Sequence, residues 1–311
     1  MNLKSSKIYI AGHNGMVGSS LYRVLNDKGY KNLIGVSSKK LDLTNQSDVI
    51  DFFNKEKPDI VINAAGKVGG IKANINNPYQ FLLKNLQIQN NLVECSLLNN
   101  IEKFIFIGSS SIYPRNCKQP MKEKYLLTGA LEPTNEFYSI AKISGIKLCQ
   151  SVRKEFNKNY FTLLPSNLYG INDSFNKEHS HVIQAMILKF HDAKINNHKN
   201  VILWGSGSPK REFTFVDDFS ESVIFAIENK LEEDFYNVGN GNEISIMDLA
   251  NSIKNIIGYE GEIIWDKSKP DGISRKLMDS SKFESYGWKS KTNLQVGVTK
   301  TYEWILKNKY S

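Results

Sequence analysis

The chain has 311 residues, enough for one large domain or two modest ones with an ample core. Its 40 Lys and Arg against 32 Asp and Glu leave a net charge of +8, but the lysines are scattered and no basic run is interleaved with aromatics; nucleic-acid binding is therefore the least favoured class, and a phosphate-bearing small molecule suits the charge equally well. Three cysteines without metal-ligand spacing, no secretory leader and no apolar run of bilayer length set the expectation of a reduced, cytoplasmic protein that uses no metal.

In chain order, Lys7-Ile8-Tyr9-Ile10-Ala11 reads as a short buried strand that runs directly into Gly12-His13-Asn14-Gly15-Met16-Val17-Gly18. Beyond that turn, Val17, Leu21, Val24 and Leu25 share one face of a predicted helix. Glycine at a strand-to-helix turn lets the backbone approach a pyrophosphate, which then sits on the positive end of the helix. The glycines fall at Gly12, Gly15 and Gly18 rather than in the commoner G-x-G-x-x-G form. Alone they also fit a structural turn; their place between first strand and first helix favours a dinucleotide site. The second strand, Asn32 to Val36, ends at Ser37-Ser38-Lys39-Lys40. An NAD-specific site places an acid there to hold the ribose 2′-hydroxyl. Two cations and no acid favour the 2′-phosphate of NADP, with a solvated basic loop as the plain alternative.

Asp59 to Asn63 is a third strand, Pro78 to Leu98 a long amphipathic helix, and Phe104 to Gly108 a fourth strand. A second long helix, Phe137 to Phe156, and a further strand, Phe161 to Pro165, follow. This alternation predicts an α/β fold on a doubly wound parallel sheet. Ligands of such sheets bind beyond the carboxyl ends of the strands, where Gly12, Asn63-Ala64-Ala65-Gly66, Ser109 and Pro165-Ser166-Asn167 fall. After Asn167 the alternation weakens and turn-rich segments appear, such as Trp204 to Pro209 and Lys269-Pro270-Asp271-Gly272. The expected organisation is a dinucleotide-binding Rossmann domain over 1–166, to which a segment near 213–240 returns, and a smaller, mixed α/β substrate-binding domain over 167–311.

On the second long helix, Tyr138 and Lys142 lie about one turn apart on one face. A nearby ammonium favours the phenolate, so Tyr138 is expected to titrate below the usual value of about 10. A hydroxyl beside that pair, such as Ser109, can hold a carbonyl oxygen while the tyrosine exchanges a proton with it. Carbonyl reduction needs this arrangement and a hydride donor. Tyr-x-x-x-Lys also occurs on plain surface helices; the glycine turn upstream tips the balance.

With these residues assembled, the chain resembles the extended short-chain dehydrogenase/reductases and, within them, the GDP-L-fucose synthase family along its whole length. The segments that carry the resemblance include Ala11 to Gly18, Lys67-Val68-Gly69-Gly70-Ile71, Leu131 to Glu136, Ala141 to Cys149 and Asn167-Leu168-Tyr169-Gly170. Ser180-His181-Val182-Ile183, Trp204-Gly205-Ser206-Gly207, Arg211-Glu212-Phe213 and Lys269 to Gly272 complete it. The resemblance implies NADPH-dependent epimerisation and reduction of GDP-4-keto-6-deoxy-mannose by a homodimer. It implies a reductase triad in which Ser109 bonds the carbonyl oxygen, Tyr138 protonates the developing alkoxide and Lys142 holds the nicotinamide ribose. Implied cofactor contacts are Gly12, Asn14, Gly15, Met16, Val17, Gly18, Ser37, Ser38 and Lys39. Asp42, Leu43, Ala64, Ala65, Gly66, Asn85, Lys142, Pro165, Asn167, Leu168 and His181 extend that set. Implied substrate contacts are Lys67, Val68, Gly69, Asn167, Lys189, Trp204, Arg211 and Asp271. Arginine suits phosphate and an indole offers apolar area, although a core tryptophan and a surface arginine are the plain readings of those two.

The loop after the fourth strand departs from the family. Where the family reads Gly-Ser-Ser-Cys-Ile-Tyr-Pro and uses the cysteine as epimerisation base, this chain has Ser111. A thiol titrates near 8.5, whereas an alcohol is scarcely acidic at neutral pH. The family's acid partner corresponds to His181, which suits proton transfer or ligand binding. Arginines that some members use on the 2′-phosphate correspond to Asn14 and Ser38. The expectation is reduction of a GDP-linked 4-keto sugar, hexose or heptose, destined for a surface polysaccharide, with little or no epimerisation. A complete bifunctional synthase and a non-catalytic NADP-sensing protein of the same fold are the alternative readings.

Overall fold

The computed structural model describes residues 3–174, 181–269 and 271–310; Ser180 and Pro270, which belong to two segments carrying the resemblance, lie outside the described residues. Strands buried on both faces read as continuous apolar runs, and β1 (Ile8–Ala11) is buried at all four positions. It is followed by α1 (Met16–Asp27), β2 (Leu33–Ile34), α2 (Gln46–Glu56), β3 (Ile60–Asn63), α3 (Ile71–Asn76) and α4 (Pro78–Leu98). The chain continues through β4 (Lys103–Ile107), α5 (Glu136–Phe156), β5 (Asn159–Pro165), β6 (Asn167–Tyr169) and α6 (Val182–Ile195). Next come β7 (Asn200–Trp204), β8 (Lys210–Phe215), α7 (Val216–Glu228), β9 (Phe235–Val238) and β10 (Glu243–Ser245). The last elements are α8 (Ile246–Ile257), β11 (Glu262–Asp266), β12 (Arg275–Lys276), α9 (Ser281–Glu284) and α10 (Leu294–Lys309).

A six-stranded sheet runs in the order β2-β1-β3-β4-β5-β9, and every pairing in it is parallel. The strand order reverses between β1 and β3, so a crevice opens beyond their carboxyl ends. Val49 and Phe53 of α2, Leu92 of α4 and Ile146 of α5 belong to one core cluster. Leu21 and Leu25 of α1 join Phe219 and Val223 of α7 in another. The sheet is thus covered on both faces. Strand β2 is shorter than the predicted Asn32 to Val36. At Gly35 a Cβ would collide with the ring of His13, and the chain leaves the sheet there, carrying Val36 to Ser38 to the crevice.

The carboxyl-terminal half has its own core, which includes Phe190, Leu203, Phe215, Ile253 and Ile305. Strand β8 pairs with β6, β10 and β12, while β7 pairs with β11. Between these, α7 packs on α1 and β9 joins the large sheet beside β5. The buried carboxylate of Glu212 accepts from the backbone N–H groups of Gly241 (2.8 Å) and Met278 (3.0 Å), so strand β8 is tied to both the β9–β10 turn and the segment after β12. Among the described residues no helix is long and apolar enough to cross a membrane.

Candidate active site

Loops from the carboxyl ends of β1, β3, β4 and β5 face segments of the carboxyl-terminal half across one cleft of about 1710 Å³. At its floor lie Gly12, Asn14, Gly15, Met16 and Val17. Gly12 has φ +81°, and a Cβ there would stand 2.8 Å from the backbone of Ala65; only glycine permits that conformation and that approach. Gly18 does not line the cleft. It sits behind it, where any Cβ would collide with the Gly12 carbonyl. Gly15 caps α1 without a side-chain hydrogen bond, which leaves the first amides of the helix for an anion at its positive end.

Ser37, Ser38, Asp42 and Leu43 line the far end of this floor, whereas Lys39 is exposed outside it. Asp42 accepts from Thr44 through the backbone N–H (2.9 Å) and the hydroxyl (2.8 Å), and these bonds hold its carboxyl below the usual range. The buried Nδ1 of His13 has no partner among the described residues. Ala64, Ala65 and Gly66 follow β3 into the cleft, with Val68 and Gly69 beyond them. Asn85 is buried on α4 and does not reach the lining. Its amide brackets the Lys67 backbone, accepting from its N–H (2.9 Å) and donating to its carbonyl (3.0 Å). The Lys67 ammonium also stays out of the lining, 5.7 Å from the Phe81 ring centroid. A glycine turn that side chains cannot occupy, an open helix end, and serines after β2, with the nearby Asp42 carboxyl engaged by Thr44, together fit an NADP dinucleotide.

Ser109 follows β4 and caps the short turn Ser110–Ile112. Its Oγ accepts from Ser111 N (3.3 Å) and lies 3.0 Å from Ser111 Oγ. Tyr138 lines the same stretch of the cleft as Ser109. The Tyr138 ring meets Phe81 edge-on at 6.2 Å. One turn along α5, Lys142 is 5% exposed and donates to the Ile107 carbonyl at 2.9 Å. Its ammonium stands 4.7 Å from the Phe106 ring centroid and 5.9 Å from that of Tyr138.

The expected acidification of Tyr138 is overturned. Burial pushes the phenol up to about 12, with Ser109 opposing it, and burial pushes Lys142 down to about 8. Desolvation penalises the charged form of both groups, and the ammonium is turned to the Ile107 carbonyl. The phenol is consequently a protonated donor at neutral pH.

His181 stands at the N-cap of α6 with Nδ1 3.4 Å from each carboxylate oxygen of Asp173. Asp173 is buried, and its hydrogen bond raises the imidazole above its usual pKa despite opposing desolvation. Pro165, Asn167 and Leu168 line the cleft beside this pair, with Asn167 Nδ2 donating to the Glu212 carbonyl at 2.7 Å. On the opposite wall are Arg211 and Asp271. Ser206 grips Asp271 through its N–H (2.9 Å) and hydroxyl (2.6 Å), which holds the carboxyl below its usual range. Lys189 and Trp204 are not in the lining. Lys189 donates to the Ile202 carbonyl (3.2 Å), and Trp204 is a surface side chain, 70% exposed, not a core tryptophan.

Asp173, Arg115, Cys117 and Lys276 line the cleft without having been singled out from the sequence. Lys276 is the sheet neighbour of Arg211 in the parallel β12–β8 pair, and burial, with Arg211 beside it, pushes it down to about 8. None of the four sits in a motif. The only sequence signal was the resemblance segment that ends just short of Lys276.

The sequence model of the NAD dependent epimerase/dehydratase family matches residues 8–239. GDP-L-fucose synthase 1 of Arabidopsis thaliana is 48% identical over 308 residues, spanning 99% of this chain and 95% of that protein. Among solved structures, a GDP-6-OMe-4-keto-L-xylo-heptose reductase from C. jejuni superposes with a TM-score of 0.93 at 36% identity over 98% of both chains. A GDP-mannoheptose C4 reductase from Campylobacter jejuni with NADP bound superposes with a TM-score of 0.89 at 38% identity, over 97% of this chain and 98% of that one.

Proposed function

This chain belongs to the GDP-L-fucose synthase branch of the NAD dependent epimerase/dehydratase family, and from that premise we propose that it reduces the 4-keto group of a GDP-linked 4-keto sugar, without epimerising the neighbouring carbons. The observation that carries this reading is the hydroxyl pair Ser109 and Tyr138 beside buried Lys142, with an alcohol at Ser111 where the family has its thiol.

The glycine turn and the Ser37–Ser38 end would hold NADPH, which would supply the hydride. Ser109 donates a hydrogen bond to the keto oxygen. Tyr138, kept neutral by burial, gives its proton to the same oxygen as negative charge develops there. Lys142 spends one donor on the Ile107 carbonyl and retains two; these serve the nicotinamide ribose and the phenolate left behind, which solvent reprotonates. Arg211 and Asp271 are assigned to the nucleotide sugar, Lys189 and Trp204 to the part of it that extends past the cleft rim. The sugar is a 6-deoxyhexose or a heptose. A homodimer fits the exposed apolar side chains of Tyr79 on α4 and of Phe137, Ile140 and Phe156 on α5, two helices that pack together; light scattering decides that point.

A bifunctional epimerase and reductase is the second reading, favoured by the intact Asp173–His181 pair and by the Cys117 thiol in the cleft. Against it, burial raises the Cys117 pKa above the usual thiol value, which makes that thiol a poor base. Incubation with GDP-4-keto-6-deoxy-mannose separates the two. With NADPH, the cofactor absorbance should fall as the ketone is reduced; without NADPH in deuterated water, the carbons flanking the ketone should stay unlabelled. Rapid deuterium uptake refutes the reductase-only reading, and Ser111→Cys should restore some exchange.

A further inference from the structure

Ser111 does more than lack a thiol. Three hydroxyls line the cleft together: Ser111 Oγ is 3.0 Å from Ser109 Oγ, and Ser109 holds the Tyr138 pKa down against burial. The Ser111 N–H also donates to Ser109 Oγ, at 3.3 Å. From α5, Ser139 Oγ donates to the Ser111 carbonyl at 3.0 Å, so the turn is pinned by the residue next to Tyr138. A hydroxyl carries one proton and two lone pairs. The Ser111 N–H takes one lone pair of Ser109. The 3.0 Å contact is compatible with either hydroxyl as donor, and assigning the Ser111 O–H to the other lone pair leaves Ser109 no acceptor capacity. Its own proton then points outward, toward Tyr138 and, when a sugar is bound, to the keto oxygen. Hydrogen bonds in such a chain polarise one another and strengthen the last donor.

We propose that Ser111 is a positioning residue for carbonyl reduction: its hydroxyl and amide lock Ser109 as a dedicated donor to the oxygen that receives the proton. The inference rests on the reduction reading above and adds a role for the residue that replaces the thiol. Sulfur at this place is a weak donor that prefers longer contacts, so a cysteine leaves Ser109 free to rotate. The replacement therefore moves the loop from proton abstraction at carbon to hydrogen bonding at oxygen.

A double-mutant cycle on Ser109 and Ser111 tests this, with GDP-4-keto-6-deoxy-mannose and NADPH. Ser111→Ala should lower kcat about tenfold, the order expected for one lost neutral hydrogen bond, with KM within about twofold. Ser111→Thr should keep most of the activity. Ser109→Ala should cost about 10²- to 10³-fold, and the double variant should be no slower than Ser109→Ala. A Ser111 effect of equal size in both backgrounds, or a Ser111→Ala variant as fast as wild type, overturns the proposal. A second arm needs no sugar: carbon-13 tyrosine NMR with NADP⁺, in which the Tyr138 signal is the one missing from Tyr138→Phe. Ser111→Ala should move the Tyr138 midpoint upward in the wild-type background and leave it unmoved in the Ser109→Ala background. An unmoved midpoint in Ser111→Ala itself overturns the positioning role. A wild-type protein that reduces no GDP-4-keto sugar sinks the reduction reading instead, and the NMR arm still decides the Ser111–Ser109 coupling.

Discussion

Replacing Lys142 by methionine should make the protein more stable at neutral pH while removing its activity. The side chain is 5% exposed, and burial lowers its pKa from 10.5 to about 8. Keeping the ammonium charged at pH 7 therefore costs about 3.5 kcal/mol, from roughly 2.5 pH units at about 1.4 kcal/mol each. Methionine suits the apolar surroundings but gives up the bond to the Ile107 carbonyl and the ammonium's contact with the Phe106 ring, together about 1.5 kcal/mol. The net gain is about 2 kcal/mol, or roughly 4 °C in Tm for a chain of this size. Because the folded pKa lies below the unfolded one, the unfolded chain binds the extra proton between about pH 8 and 10.5. Wild-type stability rises with pH through that window. The variant's advantage is thus complete below about pH 8 and gone near about pH 9.5, where wild type has gained about 1.4 kcal/mol per unit. Thermal denaturation of both proteins by circular dichroism at pH 7 and pH 10, without cofactor, measures it. A variant that melts at or below wild type at pH 7, or whose advantage ignores pH, refutes the argument that desolvation dominates this pair.

Tyr138→Phe should lower kcat by about 10²- to 10⁴-fold with little change in KM, since the edge-on contact with Phe81 needs only the ring; steady-state kinetics reads both. Asp173→Asn removes the bond that raises the His181 pKa, so the imidazole midpoint should fall relative to wild type, as a histidine NMR titration will show. Gly12→Ala places an L side chain at φ +81° with its Cβ 2.8 Å from the Ala65 backbone. It should cost about 1–2 kcal/mol for the left-handed conformation alone and weaken NADPH binding more than tenfold by calorimetry.

Local pattern was enough for the parts of this molecule whose cause is local. The apolar run at Ile8–Ala11 and the long helix Pro78–Leu98 stand where hydrophobic periodicity puts them. The glycine turn could be read for the same reason, because a positive φ and a close backbone approach demand glycine whatever surrounds them. Tyr138 and Lys142 share a face because the helix period says so. Their charge states could not be read this way. Proximity along α5 predicted an acidified phenol, and the tertiary structure reversed the sign by burying both groups and offering the ammonium the Ile107 carbonyl. Asp173 beside His181, Lys276 beside Arg211, and the exposure of Trp204 are decisions of the same kind. Helix periods and tight turns arise from neighbours in the chain, whereas desolvation and strand partnership arise from every atom that packing brings near, most of them distant in sequence.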